Sequence, residues 1–533
     1  MSSPVHVIAY DIGTTGTKTC LFEISDRIRL VYASLAEYGL FLLDHGGVEQ
    51  NPEEWWNAIK STTQSVLRES NVSASSIKGI SFCSQMQGLV LVDKNLNHIR
   101  PAMSYMDQRA RGEMKKGIEH GLKIEGLNAR KLLKSLYITG AVAASVKDPL
   151  WKYKWVERNE PSNFSKIYKW LDVKEYLIGR LTGRAVMTED SAFATFLFDS
   201  RPKKGNWHKG LCKSFGVKIE HLPEIVSSTD RVGGITAAAA KELGLEEGTA
   251  VFGGGGDASL IGIGAGAVEE GDTHIYAGTS GWVSTVTRKR KVDISSRIAS
   301  IVGARHGYYN YFGEQETSGK CLQWVKDHLA LDEIDVYLEK KHVTDGPEAV
   351  HASLFEFMFD AIKDTPAGSN GVIFTPWLHG SRCPFEDPLA RGIFFNIGLG
   401  TGKRMLIRAV IEGIVFQKKW ILELANRKVK ASSKIRFVGG VARSPLICQI
   451  LADVTGHEIE TIDHPQNAGA TGAAAIAALG LGEIKKFEQI KDLVPVKDRW
   501  IPNPQNRKVY DRNYSVFKKL YAANKEHFAA LNS

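Results

Sequence analysis

Two short turns rich in glycine and hydroxyl residues constrain this chain more than any other feature. Asp11-Ile12-Gly13-Thr14-Thr15-Gly16-Thr17-Lys18 follows the strand-like run 5–10, and Ala277-Gly278-Thr279-Ser280-Gly281 follows 273–276, about half a chain later. Backbone N–H groups in such a turn form a concave donor surface for phosphate oxygens, with small hydroxyls beside them. Two turns facing each other can grip a polyphosphate from both sides, so the pairing predicts two related α/β halves closing on ATP.

At 533 residues the chain exceeds one ordinary core, which predicts two domains with a ligand cleft between them. The run Phe252-Gly253-Gly254-Gly255-Gly256 lacks bulky side chains and predicts a boundary there, between domains 1–254 and 255–533, with hinge freedom. The net charge of +9 comes from 68 basic and 59 acidic residues that are interspersed. No basic run with interleaved aromatics marks a nucleic-acid surface. Six cysteines without a C-x-x-C pair suggest neither zinc nor a disulfide framework and fit a reducing cytoplasm. Neither a signal peptide nor a membrane span is expected, because no basic leader precedes residue 5 and the most apolar long window, 251–268, is glycine-dense and broken by Asp257.

Alternation predicts a β-meander over 5–10, 19–23 and 30–37, followed by a helix opened by Asn51 as cap, Pro52 in the first turn and the acids Glu53 and Glu54. A buried strand is predicted at 77–83. The second half repeats this order, with strands at 273–276, 282–287 and 307–313, a helix at 319–328, a strand at 435–438, a helix from Ser444, a strand at 458–462 and a small-residue helix at 467–479. The repeat of element order predicts an internal structural duplication. The segment Trp151-Lys152-Tyr153-Lys154-Trp155 predicts an amphipathic helix with its tryptophans facing the core, and 508–531 a final helix packing back on a domain.

Asp11 ends the first strand at the mouth of the phosphate turn, where a carboxylate can hold Mg²⁺ directly or through water. Lys18 either neutralises charge on a transferring phosphoryl group or is a surface lysine of the return strand. The spacing does not meet the P-loop pattern. Asp257 closes the four-glycine run, so backbone and substrate can approach it closely. That suits a general base for an attacking hydroxyl, and a cap on the helix that follows is the other reading. Gly262-Ile263-Gly264-Ala265-Gly266 reads as small-residue helix packing. Gly439-Gly440-Val441-Ala442-Arg443-Ser444 offers bare backbone to a flat adenine, and Ser84-Gln85-Met86-Gln87-Gly88 offers amide and thioether groups to a polyol.

In their order and separation these elements resemble the FGGY carbohydrate kinases, of the actin, sugar-kinase and heat-shock ATPase superfamily. The resemblance runs from Val5 to about Leu520 and includes Val48–Trp56, Asp172–Leu177 and Arg391–Phe395 running on to Arg408–Gly413. It implies two RNase H-like domains with ATP and sugar in the cleft. It also implies Asp257 as catalytic base and sugar contact, Asp11 as the magnesium-side carboxylate, and Thr14, Thr15 and Lys18 as the first phosphate loop. Gly278 and Thr279 match the second loop, Gly319 and Gln323 line the nucleotide site, and Gly440 and Ser444 flank the adenosine.

The Gln-Met-x-Gly element is most similar to that of the family's xylulokinases, which implies that Met86 and the residue at position 87 touch a pentulose such as D-xylulose. Gln87 replaces the usual histidine and Ala258 the usual asparagine, and Asn396 and Met405 depart from the family's second signature. A glycerol-kinase Asn-Gln-Arg-Glu run is absent. Lys152, Arg109 and Arg111 fall in segments that approach the sugar in relatives, which leaves ribulose, gluconate or a keto-gluconate open as acceptor. An actin- or chaperone-like switch and an inactive regulatory homologue are the rivals from other classes. Homodimers occur among such kinases, and that assembly is open for this chain.

Overall fold

In the computed structural model, which describes residues 5–293, 296–329, 355 and 358–533, one strand order is built twice. In the first half β1 (Val5–Ile12), β2 (Gly16–Ile24) and β3 (Ile28–Glu37) form an antiparallel meander. Beyond β1 lie β4 (Ile77–Ser84) and β6 (Ala250–Phe252) in parallel, with β5 (Arg231–Gly234) antiparallel at the edge and the two-residue β7 (Gly255–Gly256) also on β4. In the second half β8 (Thr273–Ala277), β9 (Gly281–Thr287) and β12 (Tyr309–Gln315) form the meander. There β13 (Lys434–Val438) and β14 (Glu458–Ile462) run parallel to β8, and β15 (Val496–Trp500) is the antiparallel edge. The two-residue β7, and β10 (Val292–Asp293) and β11 (Ile298–Val302) added beyond β12, have no counterpart, and the edge strand precedes its neighbour along the chain in the first half but follows it in the second. The expected duplication is therefore present at the level of strand order and direction.

The helices follow from local chemistry. α1 (Pro52–Ser70) starts where Asn51 accepts the Glu53 N–H, with two acids in its first turn, and packs on β2 and β3. Then come α2 (Pro149–Asn159), α3 (Glu189–Ala194), α4 (Asp257–Gly264), α5 (Gly319–His328), α6 (Lys403–Ala425), α7 (Pro445–Thr455), α8 (Ala468–Leu481) and α9 (Pro504–Asn532). α9 packs Tyr510 and Phe517 into the core of the second half, as expected of the final helix. In α2, Trp151 faces the core as predicted, but Lys152 is buried with it.

The small-residue helices α4 and α8 lie against each other, and α8 also packs on β1 and β4. Their apolar cluster takes Ala9 and Cys83 from the first sheet and Trp282 and Val438 from the second. Bulk is excluded here: a Cβ on Gly264 would fall 1.8 Å from the Ala468 carbonyl oxygen, and one on Gly472 would fall 2.2 Å from that of Leu260. Gly262 and Gly264 are thus packing residues, as read from the sequence, whereas Gly266 lies beyond the helix with a left-handed φ of 79 and no close neighbour.

The run expected to give hinge freedom, Gly253–Gly256, is closely packed in the structure. The run is buried and held: Gly255 and Gly256 pair with Cys83 and Ser84 of β4. A Cβ would meet Ser227 O at 2.7 Å from Gly253 and Phe82 O at 2.3 Å from Gly254. These glycines serve close approach rather than freedom. The break expected between residues 254 and 255 falls in a stretch hydrogen-bonded into the first sheet up to Gly256.

Candidate active site

The two Gly/Thr turns are built alike, with their carbonyl oxygens consumed by the protein. In the first, Gly13 N–H bonds Gly16 O at 2.9 Å. The Tyr38 hydroxyl donates to Gly13 O and Gly16 O, Tyr38 N–H to Thr15 O, and Gln50 Nε2 to Thr14 O. In the second, Gly278 N–H bonds Ser280 O at 3.0 Å, Gly319 N–H donates to Gly278 O, and Ser318 and Lys320 N–H groups donate to Thr279 O. A turn whose carbonyls are spoken for presents its donor side outward, the condition for receiving an anion.

Both turns open on one cavity of about 590 Å³, lined among others by Asp11, Thr14, Thr15, Lys18, Met86, Gln87, Asp257 and Thr279. Asp257 stands at the first residue of α4 and its Oδ1 accepts the Ala258 N–H at 2.7 Å. Desolvation pushes its pKa up to about 7, opposed by that backbone bond and helped by the negative charges of Asp11, Glu314 and Asp190. Burial also raises Asp11, against the lowering effect of Lys18, which sits opposite it in the β1–β2 register. Lys18 does not extend into solvent: its Nζ donates to Asn467 Oδ1 at 2.9 Å, beside the start of α8.

The buried Asp190 of α3 fixes the approach to Asp257. Its Oδ2 accepts the Gly256 N–H at 2.8 Å and the Ser259 hydroxyl at 2.7 Å, on either side of the base candidate. Gly256 lies against the Met86 side chain, and a Cβ there would fall 2.1 Å from Met86 Sδ unless that thioether moved.

In the 84–88 segment, Gln87 has a left-handed backbone, φ 65. Asp172 stabilises it by accepting the N–H groups of Gln87 and Gly88 at 2.8 and 2.9 Å. Lys152 donates to Gln87 O at 2.9 Å and to Ser104 O at 2.6 Å, and burial lowers its pKa to about 8. Arg109 is bound to Asp107 and Glu49. Arg111 is exposed at the start of a short helix. None of the three lines the cavity.

Of the remaining expected positions, Gly278, Gly319, Gln323, Gly440 and Ser444 are not among the residues that line the cavity. Gly319 donates to Gly278 O, and a Cβ on the neighbouring Gly439 would fall 2.4 Å from Ala277 O. Gly440 faces open space, Ser444 caps α7, and Gln323 donates to both oxygens of Asp327. Sequence reasoning missed Tyr105, whose hydroxyl lies 3.4 Å from Thr14 Oγ1, together with Asp148, Asp190, Glu314 and Arg382. No local pattern announces them. The signal that could have found Tyr105 is its place in Tyr105-Met106-Asp107-Gln108-Arg109, where the acid and the arginine pair on each other.

Two sheets of one strand order, with two Gly/Thr turns and the Asp257 carboxyl lining one cavity, have the two-domain arrangement of a sugar-kinase-type phosphotransferase. The model of the FGGY family of carbohydrate kinases, N-terminal domain, matches residues 6–264, and that of the C-terminal domain matches 274–481. The chain belongs to the FGGY family of carbohydrate kinases. It is 29% identical over 527 residues to a xylulose kinase of Staphylococcus epidermidis, covering 98% of each chain. It is 26% identical over 516 residues to a gluconokinase of Bacillus subtilis, covering 97% of this chain and 96% of the relative. The fold superposes on ligand-bound xylulose kinase from Lactobacillus acidophilus with a TM-score of 0.84 at 24% identity, covering 99% of both chains. No helix among the described residues is long and apolar enough to cross a membrane.

Proposed function

We propose that this carbohydrate kinase transfers the γ-phosphoryl group of ATP to a primary hydroxyl of a neutral ketose or polyol, with a pentulose such as D-xylulose as acceptor. The observation that carries the reading is Asp257, a carboxyl with a pKa near 7 in the wall of the cavity that both Gly/Thr turns share. A base poised near the working pH can take the hydroxyl proton as the oxygen attacks, and phosphoryl transfer otherwise needs alignment and charge stabilisation. Thr14, Thr15, Gly278 and Thr279 supply donors to the phosphates, Lys18 a cation, and Gly319, Gln323, Gly440 and Ser444 the nucleoside side. Met86 and Gln87 meet the sugar.

Asp11 fits a divalent ion. Among the described residues no group of three or more His, Cys, Asp or Glu makes a protein cage, and a recessed carboxyl with a raised pKa beside a phosphate turn suits Mg²⁺, which keeps waters and phosphate oxygens as most of its ligands. When bound, Mg²⁺ neutralises phosphate charge.

A neutral acceptor is favoured over an aldonate by the charges around the cavity. Lys152 and Arg109 are tied to protein oxygens, and the lining Arg382 is paired with Glu314 and Glu316. Asp148, Asp190 and Glu314 line the same space. A coupled ADP-release assay over ketoses, polyols and aldonates tests this. Turnover with D-xylulose or another neutral sugar, at least a hundredfold above gluconate in kcat/KM, is expected. Gluconate as the best acceptor would overturn the substrate assignment, and hydrolysis independent of sugar, or no turnover at all, would favour a nucleotide switch or a regulatory homologue.

A further inference from the structure

Behind the second turn, on the side away from the nucleotide cavity, α6 buries a lysine that the proposed chemistry does not use. Lys418 is 1% exposed, and its Nζ donates to the carbonyl oxygen of Tyr276 at 3.0 Å. The ammonium presses on Gly281: a Cβ there would fall 2.5 Å from Nζ. Gly281 directly follows Ser280, which lines the cavity.

Among the described residues no carboxylate pairs with Lys418. The titratable group whose charge bears on it is Cys321 of α5, whose thiol burial pushes up to about 12 and so keeps neutral. β8 presents Tyr276, whose hydroxyl burial also raises. On α6 itself the adjacent Lys419 turns away to the Val454 carbonyl. The rest of the pocket is polar and uncharged: the Ser318 hydroxyl and both polar atoms of the Gln315 side chain are buried without a hydrogen-bond partner, and Gln315 is the register partner of Gly281.

A buried ammonium with one carbonyl and no counter-ion is costly. It becomes favourable when an anion arrives across a single layer of backbone, where the low dielectric strengthens the attraction. We infer that Lys418 is a charge partner of the nucleotide phosphates, holding its proton when they lie against the second turn and shedding it when they leave. Nucleotide binding then draws a proton from solvent onto Nζ, and Lys418 acts through the hairpin as a positioning residue. The inference rests on the nucleotide reading above.

Desolvation lowers the Lys418 pKa to about 7 without nucleotide. By linkage, a nucleotide held tenfold tighter by the protonated form makes Nζ hold its proton tenfold tighter, so binding takes up about 0.4 proton at pH 8 and about 0.1 at pH 6. The test is calorimetry of Mg-ADP binding in buffers of different ionisation enthalpy, in an Asp257→Asn background so that this carboxyl does not contribute. The expected result is uptake that rises from pH 6 to pH 8 and disappears in Lys418→Met, with ADP affinity down about tenfold at an effective dielectric near 20. Lys418→Arg, permanently charged, should bind ADP without that uptake, and it covers the case in which the methionine variant does not fold. ADP binding with no such uptake, or equal uptake in the substituted proteins, overturns the inference alone. Failure to bind Mg-ADP at all overturns the nucleotide reading with it.

Discussion

The Lys18 ammonium donates to Asn467 Oδ1 at 2.9 Å, joining residues 449 positions apart. The bond ties the first Gly/Thr turn to the start of the small-residue helix between the sheets. It holds a cation at the cavity wall in one position, beside Asp11.

Lys18→Met should lower kcat/KM by about a hundredfold or more, the scale seen when one preorganised donor to transition-state charge is removed. Asn467→Ala leaves the charge but frees the side chain, so its loss should be smaller and fall mainly on KM for ATP. Steady-state kinetics against ATP at saturating sugar measures both. Equal losses would mean that Asn467 matters for more than Lys18.

Gly256→Ala should injure the sugar side. Gly256 has an ordinary φ of −75, so the backbone accepts alanine, but the new Cβ must displace the Met86 thioether. A rise of about tenfold in sugar KM with unchanged ADP affinity is expected, and Gly256→Ala combined with Met86→Ala should be no worse than Met86→Ala alone, since contacting residues are not additive.

The pH dependence follows from Asp257. Its carboxyl must be ionised to accept the hydroxyl proton, so kcat/KM for sugar should rise with pH and level off above about 7, falling tenfold per unit on the acid side. The same raised pKa has the opposite sign in stability: its contribution is full below the unfolded value of 3.8 and is lost as pH rises through about 7. Asp257→Asn should therefore be at least as stable as the natural protein at pH 8 by thermal unfolding, while losing activity.

Gly472→Ala tests the seam between α4 and α8. Its Cβ would meet backbone, Leu260 O at 2.2 Å, with no flexible side chain to give way. Overpacking of this kind costs about 1–3 kcal/mol, readable as a lower urea midpoint.

The fold was legible because its signals are local and doubled. Each meander alternates, each Gly/Thr turn spells its own conformation in glycine and threonine, and Asn51 and Ser444 announce the helices they cap. Composition shows only that the four-glycine run is permissive, whereas the atoms that touch it, from Phe82, Ser227, Asp190 and Met86, come from distant parts of the chain. Lys152 looked like a cation offered to substrate, but its length lets it reach carbonyls from inside the core. Asp190 and Tyr105 were invisible because their partners, Gly256 and Thr14, are 66 and 91 positions away.

The role of Asp257 is tested most directly by sugar-dependent ADP release from the natural chain and from Asp257→Asn, with Mg-ADP affinity measured in parallel. Loss of at least about a hundredfold in kcat with nucleotide affinity within a fewfold is predicted, in line with the worth of a general base. Retained sugar phosphorylation in the asparagine variant would contradict it.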